Sequence, residues 1–346
     1  GDEITLDFSR SDKQRPGFVN CVYAVTYARA VAAVIIYMDP ALADFHNTGS
    51  LRPIKVIAPP GSVTNGQYPA TVGASPVNVG GQVIESVVEA LSKAKPDRSI
   101  AAWGKHRGDY TFAVDPRTGE RYVRTTFDYD GSAGAVWGHD GMTGPTTLNT
   151  LGSVQRGTVE EAEVRFPWRM LKLEARSDFN GAGRWRGGGG IDWRALNEGS
   201  DGRMATGSSD GDFIQAKGCH GGQPIPRSRT IILRGNEKIR VKPHRLADVK
   251  AGDIMVKLSG GGAGVGDPWE RPIDKVATDV RREMVTVEAA RLIYGVVIDP
   301  TTFKVDEVAT RKLRASPPTR RYEAVINEDR LDIELRPVGE SKEQDA

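Results

Sequence analysis

The hydrophobic pattern of this chain switches repeatedly between strand and helix periods. Glu3-Ile-Thr-Leu-Asp-Phe8 alternates apolar and polar positions, as a half-buried strand does. After an Arg15-Pro-Gly17 turn, residues 19–38 form a mostly apolar run that predicts a buried helix. Asp39-Pro40 stops it, because proline disfavours helical geometry at the residue before it. Residues 52–59 predict a short strand bounded by prolines, and Ile84, Val87, Val88 and Leu91 recur at helical spacing in a helix that ends before Pro96.

From about Ile100 to Pro268 strand signals dominate. Residues 110–114 and 121–127 flank the turn sequence Asp115-Pro-Arg-Thr-Gly119, and residues 230–233 and 238–241 flank Arg234-Gly-Asn-Glu237. Both are hairpins, which means antiparallel pairing. Helical spacing returns at Ile273, Val276, Ala277 and Val280. Thr286 is placed to cap a further helix through residues 289–294, with Gly295 as its stop. Beyond Ala315 a charged stretch reads as a surface arm with candidate strands at 322–326 and 331–335. The expected fold class is α+β: a mostly antiparallel β-rich body with a few buried helices and a C-terminal helical segment. Four segments follow, namely a mixed α/β part at 1–99, a glycine-rich β body at 100–268, helices at 269–314 and an extended charged tail at 315–346.

Composition narrows the class. With 38% apolar and 27% charged residues over 346 positions, the chain can build a real core. Forty glycines and twenty prolines favour a loop- and strand-rich body. A net charge of +2 points to neither nucleic acid nor an acidic surface. Two cysteines, Cys21 and Cys219, are no disulfide framework and fit a reducing compartment. The most apolar stretch, residues 24–38, is too short to span a bilayer, and no signal peptide opens the chain. Because the sequence begins directly on a strand, it is expected to be either an abruptly starting subunit or a piece of something longer.

Two glycine runs invite a phosphate-loop reading: Asn180-Gly-Ala-Gly-Arg-Trp-Arg-Gly-Gly-Gly-Gly190 and Ser259-Gly-Gly-Gly-Ala-Gly-Val-Gly-Asp-Pro268. Neither continues into the Lys and Ser/Thr that a P-loop needs, so close backbone packing is the expectation. The five histidines, His46, His106, His139, His220 and His244, show no zinc-ligand spacing. A scattered histidine is ordinarily structural. His139 is the exception, since it lies in a glycine-rich loop near Asp128 and Asp130 where little else requires an imidazole. Thr206-Gly-Ser-Ser-Asp-Gly-Asp212 concentrates hydroxyls and carboxylates, which a turn cluster also explains.

Read in order, several stretches resemble the hydantoinase B/oxoprolinase family. They are Leu6-Asp-Phe-Ser9 with Asn20-Cys21, residues 51–62, Gly183-Arg-Trp-Arg-Gly-Gly188, Lys250-Ala-Gly-Asp253, Gly260 to Pro268, Val276-Ala-Thr-Asp-Val280 and residues 288–299. The likeness is to the C-terminal half of the B-type component. It implies a cytoplasmic, hetero-oligomeric enzyme with an A-type ATP-binding subunit and a chain carrying the N-terminal B-type half. ATP and a divalent metal (Mn, Zn or Mg) are expected in that complex, held mainly by partner chains, and this chain alone is expected to be inactive. Residues 164–169, 197–201 and 206–211 look most like the acetone/acetophenone carboxylase branch, which joins an activated ketone enolate to bicarbonate-derived carboxyl. Met142-Thr-Gly-Pro-Thr-Thr-Leu-Asn149 replaces a His- and Asn-rich loop of hydantoinase-type sequences and points the same way. The alternatives are ATP-dependent hydrolysis of a cyclic amide, by a hydantoinase, 5-oxoprolinase or lactamase, and a scaffold without catalytic residues. The chemistry demands anion stabilisation and water exclusion, for which Arg52, His106 and His139 are the candidate catalytic donors. Neither a nucleic acid nor a membrane is an expected partner.

Overall fold

The structure is a computed structural model that describes residues 2–38, 44–45, 47–105, 107–126, 131–145, 148 and 157–339. It divides into two compact units, residues 1–100 with 147–151, and residues 101–146 with 152–346.

In the first unit β1 (Ile4–Asp7) pairs in parallel with β2 (Ile54–Ile57). Parallel neighbours need a crossover, and α1 (Tyr23–Met38) with the short α2 (Thr48–Leu51) lies within it. α1 packs against α3 (Val79–Ala94) through Ala30, Val34 and Tyr37 on one side and Ile84, Val87 and Val88 on the other, all buried. The first helix starts four residues later than its apolar run because Asn20 is committed elsewhere. Its buried amide accepts from Arg15 N at 2.8 Å and donates to Arg15 O at 2.7 Å and Thr71 O at 3.0 Å, closing its own loop and tying it to a second. Cys21 follows it in the interior, and burial pushes its thiol pKa up.

The second unit holds two large antiparallel sheets and a separate two-stranded hairpin. One runs β10 (Leu246–Val249), β7 (Gly202–Ser209), β3 (Arg107–Val114), β4 (Arg121–Thr126). The other runs β5 (Trp168–Ala175), β6 (Ile191–Asn197), β11 (Ile254–Ser259), β8 (Arg229–Arg234), β9 (Glu237–Arg240). A short α4 (Val159–Arg165) precedes β5. Trp168, Trp193, Ala195, Ile232 and Met255 of the larger sheet meet Met204 and Val249 of the smaller in one core. The interior also holds charge: Lys257 on β11 is bonded to Asp109 on β3, and the Arg124 guanidinium sits 5.5 Å from the ring centres of Trp168 and Trp193. Strand alternation explains why β11 is buried from Met255 to Ser259. Met255 and Lys257 face the smaller sheet, while Val256 and Leu258 face Leu331, Ile326 and Ile333 on the far side.

Those last three residues belong to the turn and hairpin β12 (Tyr322–Asn327) and β13 (Asp332–Pro337), so the charged C-terminal stretch folds back onto the body there. Before it come α5 (Ile273–Arg281), α6 (Val287–Leu292) and α7 (Glu307–Ala315). Thr286 caps α6, accepting from Ala289 N at 3.1 Å, and Gly295 past its end takes φ +65°. Among the described residues no helix is long and apolar enough to cross a membrane.

The glycine runs, expected from sequence to pack backbone closely, pack on one another inside this chain. Residues 260–266 are neither helix nor strand, yet they are hydrogen-bonded to four other segments. Ala263 N donates to Ala102 O and Ala135 N to Ala263 O, both at 2.9 Å. Gly181 N donates to Gly262 O at 2.8 Å and Gly264 N to Gln223 O at 3.0 Å. A strand in a sheet has two neighbours; this segment is enclosed. Side chains have no room in such an array. A Cβ on Gly262 would stand 1.8 Å from Ala133 O, and one on Gly187 1.8 Å from Gly262 O.

The same substitution is therefore expected to act with opposite sign at two sites. Gly262→Ala should destabilise by about 3 kcal/mol or more, or prevent folding, since the clash is with backbone. Gly81→Ala, in α3 where nothing lies within 4 Å of the added Cβ, should stabilise by about 0.5–1 kcal/mol. Urea unfolding of both variants checks this.

Candidate functional site

The rigid array presents two turns at its surface. Residues 136–139 form the first, closed by Val136 N to His139 O at 3.1 Å and His139 N to Val136 O at 3.0 Å, with Gly138 at φ +96°. His139 is exposed on it. Beside it the Trp137 ring lies 4.7 Å from that of Trp185 and meets His220 edge-on at 6.5 Å. His220 stands on the second turn at φ +51°, next to Cys219, whose backbone is fixed by Cys219 N to Gly264 O at 3.1 Å and Gly266 N to Cys219 O at 3.0 Å. The Arg184 guanidinium covers the other indole, 5.0 Å from the Trp185 ring. Two imidazoles, two indoles and a guanidinium thus share one surface of the array.

What holds the first turn is the residue after His139. Asp140 Oδ1 accepts from Arg186 N at 2.9 Å and from Arg271 Nη1 at 2.7 Å, and Oδ2 accepts from Arg271 Nη2 at 2.8 Å. Arg271 Nε and Nη2 donate to Asp279 Oδ2 at 3.0 and 2.7 Å, and Arg186 Nε donates to Asp279 Oδ1 at 3.0 Å. Two carboxylates and two guanidiniums balance, with the Arg271 side chain only 2% exposed. Burial works against ionised Asp140, but the Arg271 hydrogen bonds and the charges of Arg271 and Arg186 outweigh it and hold its carboxyl below the ordinary range. Arg271 is itself anchored: Arg314 Nη2 donates to Arg271 O at 2.8 Å and to Tyr294 O at 3.0 Å. Burial pushes the enclosed Tyr294 phenol well above its usual range, so it stays neutral.

The sequence-predicted site residues are placed unevenly. His139 is on the turn just described. Arg52 belongs to the first unit, exposed at the C-terminal end of α2. His106, with Asp128 and Asp130 that drew attention to His139, lies outside the described residues. In the hydroxyl-rich loop, Thr206 Oγ1 donates to Lys242 O at 3.0 Å, a structural brace. Sequence reasoning missed Asp140, Arg186, Arg271 and Asp279 as a unit, and the Trp137–Trp185 pair. Arg186 and Asp279 sat inside quoted motifs, but nothing in their spacing pairs residues 93 positions apart.

Among the described residues no group of three His, Cys, Asp or Glu side chains could hold a metal ion, so the side chains described here do not fit a resident metal. The surface can offer an exposed imidazole for proton transfer, and indole faces for an apolar or cationic group.

Asp140→Asn tests the brace. At neutral pH it should lower stability by about 1–3 kcal/mol, because hydrogen bonds to a charged, partly buried acceptor are weakened. A carboxyl with a depressed folded pKa stabilises fully above its unfolded pKa and loses that contribution as pH falls through the folded one. The parent should therefore lose stability more steeply than the variant on acidification below the ordinary carboxylate range, as measured by denaturant melts across that window.

The chain is similar to several known proteins. The beta subunit of the caprolactamase of Pseudomonas jessenii is 28% identical over 91% of this chain and 55% of its own length. The B component of a putative D-/L-hydantoinase of Pseudomonas sp. (strain NS671) is 29% identical over 91% of this chain and 53% of its own. The crystal structure of ATP-dependent caprolactamase from Pseudomonas jessenii matches with TM-score 0.77 at 26% identity, covering 91% of this chain and 55% of that one. Nucleotide-free acetone carboxylase shares the fold, with TM-score 0.71 at 18% identity over 90% of this chain and 46% of that one. The chain thus spans about half the length of these relatives. Matched over residues 1–268 by the profile of the hydantoinase B/oxoprolinase proteins, it belongs to the hydantoinase B/oxoprolinase family.

Proposed function

We propose that this chain is the C-terminal half of the B-type component of an ATP-dependent enzyme that opens a cyclic amide. In this reading it works with an A-type ATP-binding subunit and with a polypeptide carrying the N-terminal B-type half. The observation that carries it is the likeness to the beta chain of a caprolactamase, in sequence and in fold, along nine-tenths of the chain. An unstrained amide has partial double-bond character and a poorly electrophilic carbonyl, so coupling its opening to ATP is chemically reasonable. ATP and a divalent metal are assigned to the partner chains, and the role left to this chain is positioning and proton transfer. His139, exposed and on a braced turn, is the residue for that role.

Ketone carboxylation is the second reading, and one of the stretches that favour it, residues 197–201, braces a turn. Asn197 Nδ2 donates to Ser200 O at 3.0 Å and Lys250 O at 2.9 Å, and Asp201 Oδ1 accepts from Ala251 N at 2.9 Å. These bonds fasten the turn between β6 and β7 to the 250–253 turn and leave the reaction type open. On that account the amide reading is preferred.

Two outcomes are expected of the reconstituted complex. ADP release should follow addition of a lactam or hydantoin with no need for bicarbonate; release only with ketone and bicarbonate together would replace this reading with the carboxylase. His139→Ala should lower turnover by about 10²-fold or more, whereas unchanged turnover would make this chain a scaffold.

A further inference from the structure

The smaller sheet of the second unit turns its side chains the opposite way from an ordinary half-solvated sheet. On β3, Asp109 and Thr111 face the sandwich interior, and on β4 Arg124 and Thr126 do the same, all of them buried. The apolar residues of these strands alternate with them and face outward: Tyr110, Phe112 and Val114 on β3, and Val123 on β4. Strand pairing joins them to one another. Leu246 of β10 lies beside Ala205 of β7, Ala205 beside Tyr110, and Phe112 beside Val123. Tyr110, Phe112, Val114, Val123 and Leu246 are each 39–56% exposed. Charge on this face is sparse: Arg203 and Asp248 pair with each other at 3.5 Å, and Arg121 lies on the outermost strand.

An antiparallel sheet with one face in water ordinarily sends its polar side chains to that face. Here β3 and β4 send polar side chains in and apolar ones out, so both faces of these strands read as interior. Single exposed apolar residues need no explanation, but a contiguous set spread over four strands marks an interaction surface.

We propose that this outer face is the docking surface for the polypeptide carrying the N-terminal B-type half. The inference rests on the reading above, that such a polypeptide completes the enzyme. Relatives supply the first reason for this occupant. The two Pseudomonas relatives each have nearly half of their length outside the match, so in them a large further part is joined to the half that this fold represents. Size supplies the second, because it disfavours a second copy of this chain. Strand spacing and the span from Tyr110 to Val114 give an apolar patch on the order of 15 Å each way. Two such patches face to face fall well short of the roughly 1,000 Å² of a stable interface. A large chain can cover this face and continue beyond its edges. With few charges to pair, the partner's contribution is an apolar face of its own.

Hydroxyl-radical labelling of the whole chain, alone and in the reconstituted complex, tests the proposal. Tyr110 and Phe112 should be labelled in the free chain and lose that labelling once the N-terminal polypeptide is added. The A-type subunit added by itself should leave it unchanged. Phe112→Asp, a change at an exposed position, should weaken association with the N-terminal polypeptide at least about tenfold without lowering the melting temperature of the chain. Labelling kept in the complex, protection by the A-type subunit alone, or unchanged association of Phe112→Asp would overturn the proposal and leave the ATP-coupled reading standing. A free chain that sediments as a dimer, protected at both residues and dissociated by Phe112→Asp, would make the occupant a second copy and overturn it too. No association of the N-terminal polypeptide with the parent chain would remove the reading and the proposal together. Should Phe112→Asp fail to fold, labelling of the parent chain decides alone.

Discussion

Backbone packed directly on backbone is the constraint from which the second unit is built. Residues 260–266 touch four other segments at hydrogen-bonding distance, and the carbonyls of Ala133, Ala182 and Gly188 occupy the places where side chains would stand. None of Gly260–Gly264 has the positive φ that usually accounts for glycine. Crowding, and not backbone conformation, selects the residue. The 136–139 turn, the Cys219-His220 turn and the Asp267-Pro268 exit into the helices are all attached to that array.

The quartet of Asp140, Arg186, Arg271 and Asp279, buried except at Asp140, fastens the C-terminal helices to it. Asp279 is on α5 and Arg271 just before it, while Asp140 and Arg186 come from the glycine segments. Buried ion pairs gain little over apolar packing in stability, but they fix geometry because every donor has one acceptor position. Here that geometry sets the height and direction of the His139 turn. A similar device sits between the sheets, where Lys257 and Asp109 join β11 to β3.

Local periodicity made much of the architecture legible. The hairpin at residues 110–126, the second at 230–241, the Thr286 cap and the Gly295 stop were readable because each depends on neighbours within a few positions. Pairings across long separations were not. The order of the two sheets, the seating of β12 and β13 on the larger sheet, and the four-way contacts of residues 260–266 depend on partners that a glycine run cannot name. The same holds for the site. His139 stood out as an imidazole without a structural duty, yet the Arg271 that braces it looks like any charged residue beside a helix start. The ordered motifs identified the family, but several of them, Asn197 to Asp201 and Lys250 to Asp253 among them, turned out to fasten turns. A motif can mark ancestry through its hinges as readily as through its chemistry.

The enclosed glycine segments also bear on how this protein meets temperature. Unfolding ordinarily raises heat capacity because apolar side chains become wet, whereas wetting peptide groups lowers it. Residues 181–190 and 260–266 bury mostly peptide. Their share of the stability curve is accordingly flatter than that of the Trp193 and Met255 core between the sheets, and it weakens less on cooling. Cold would loosen the sandwich before the array that carries His139.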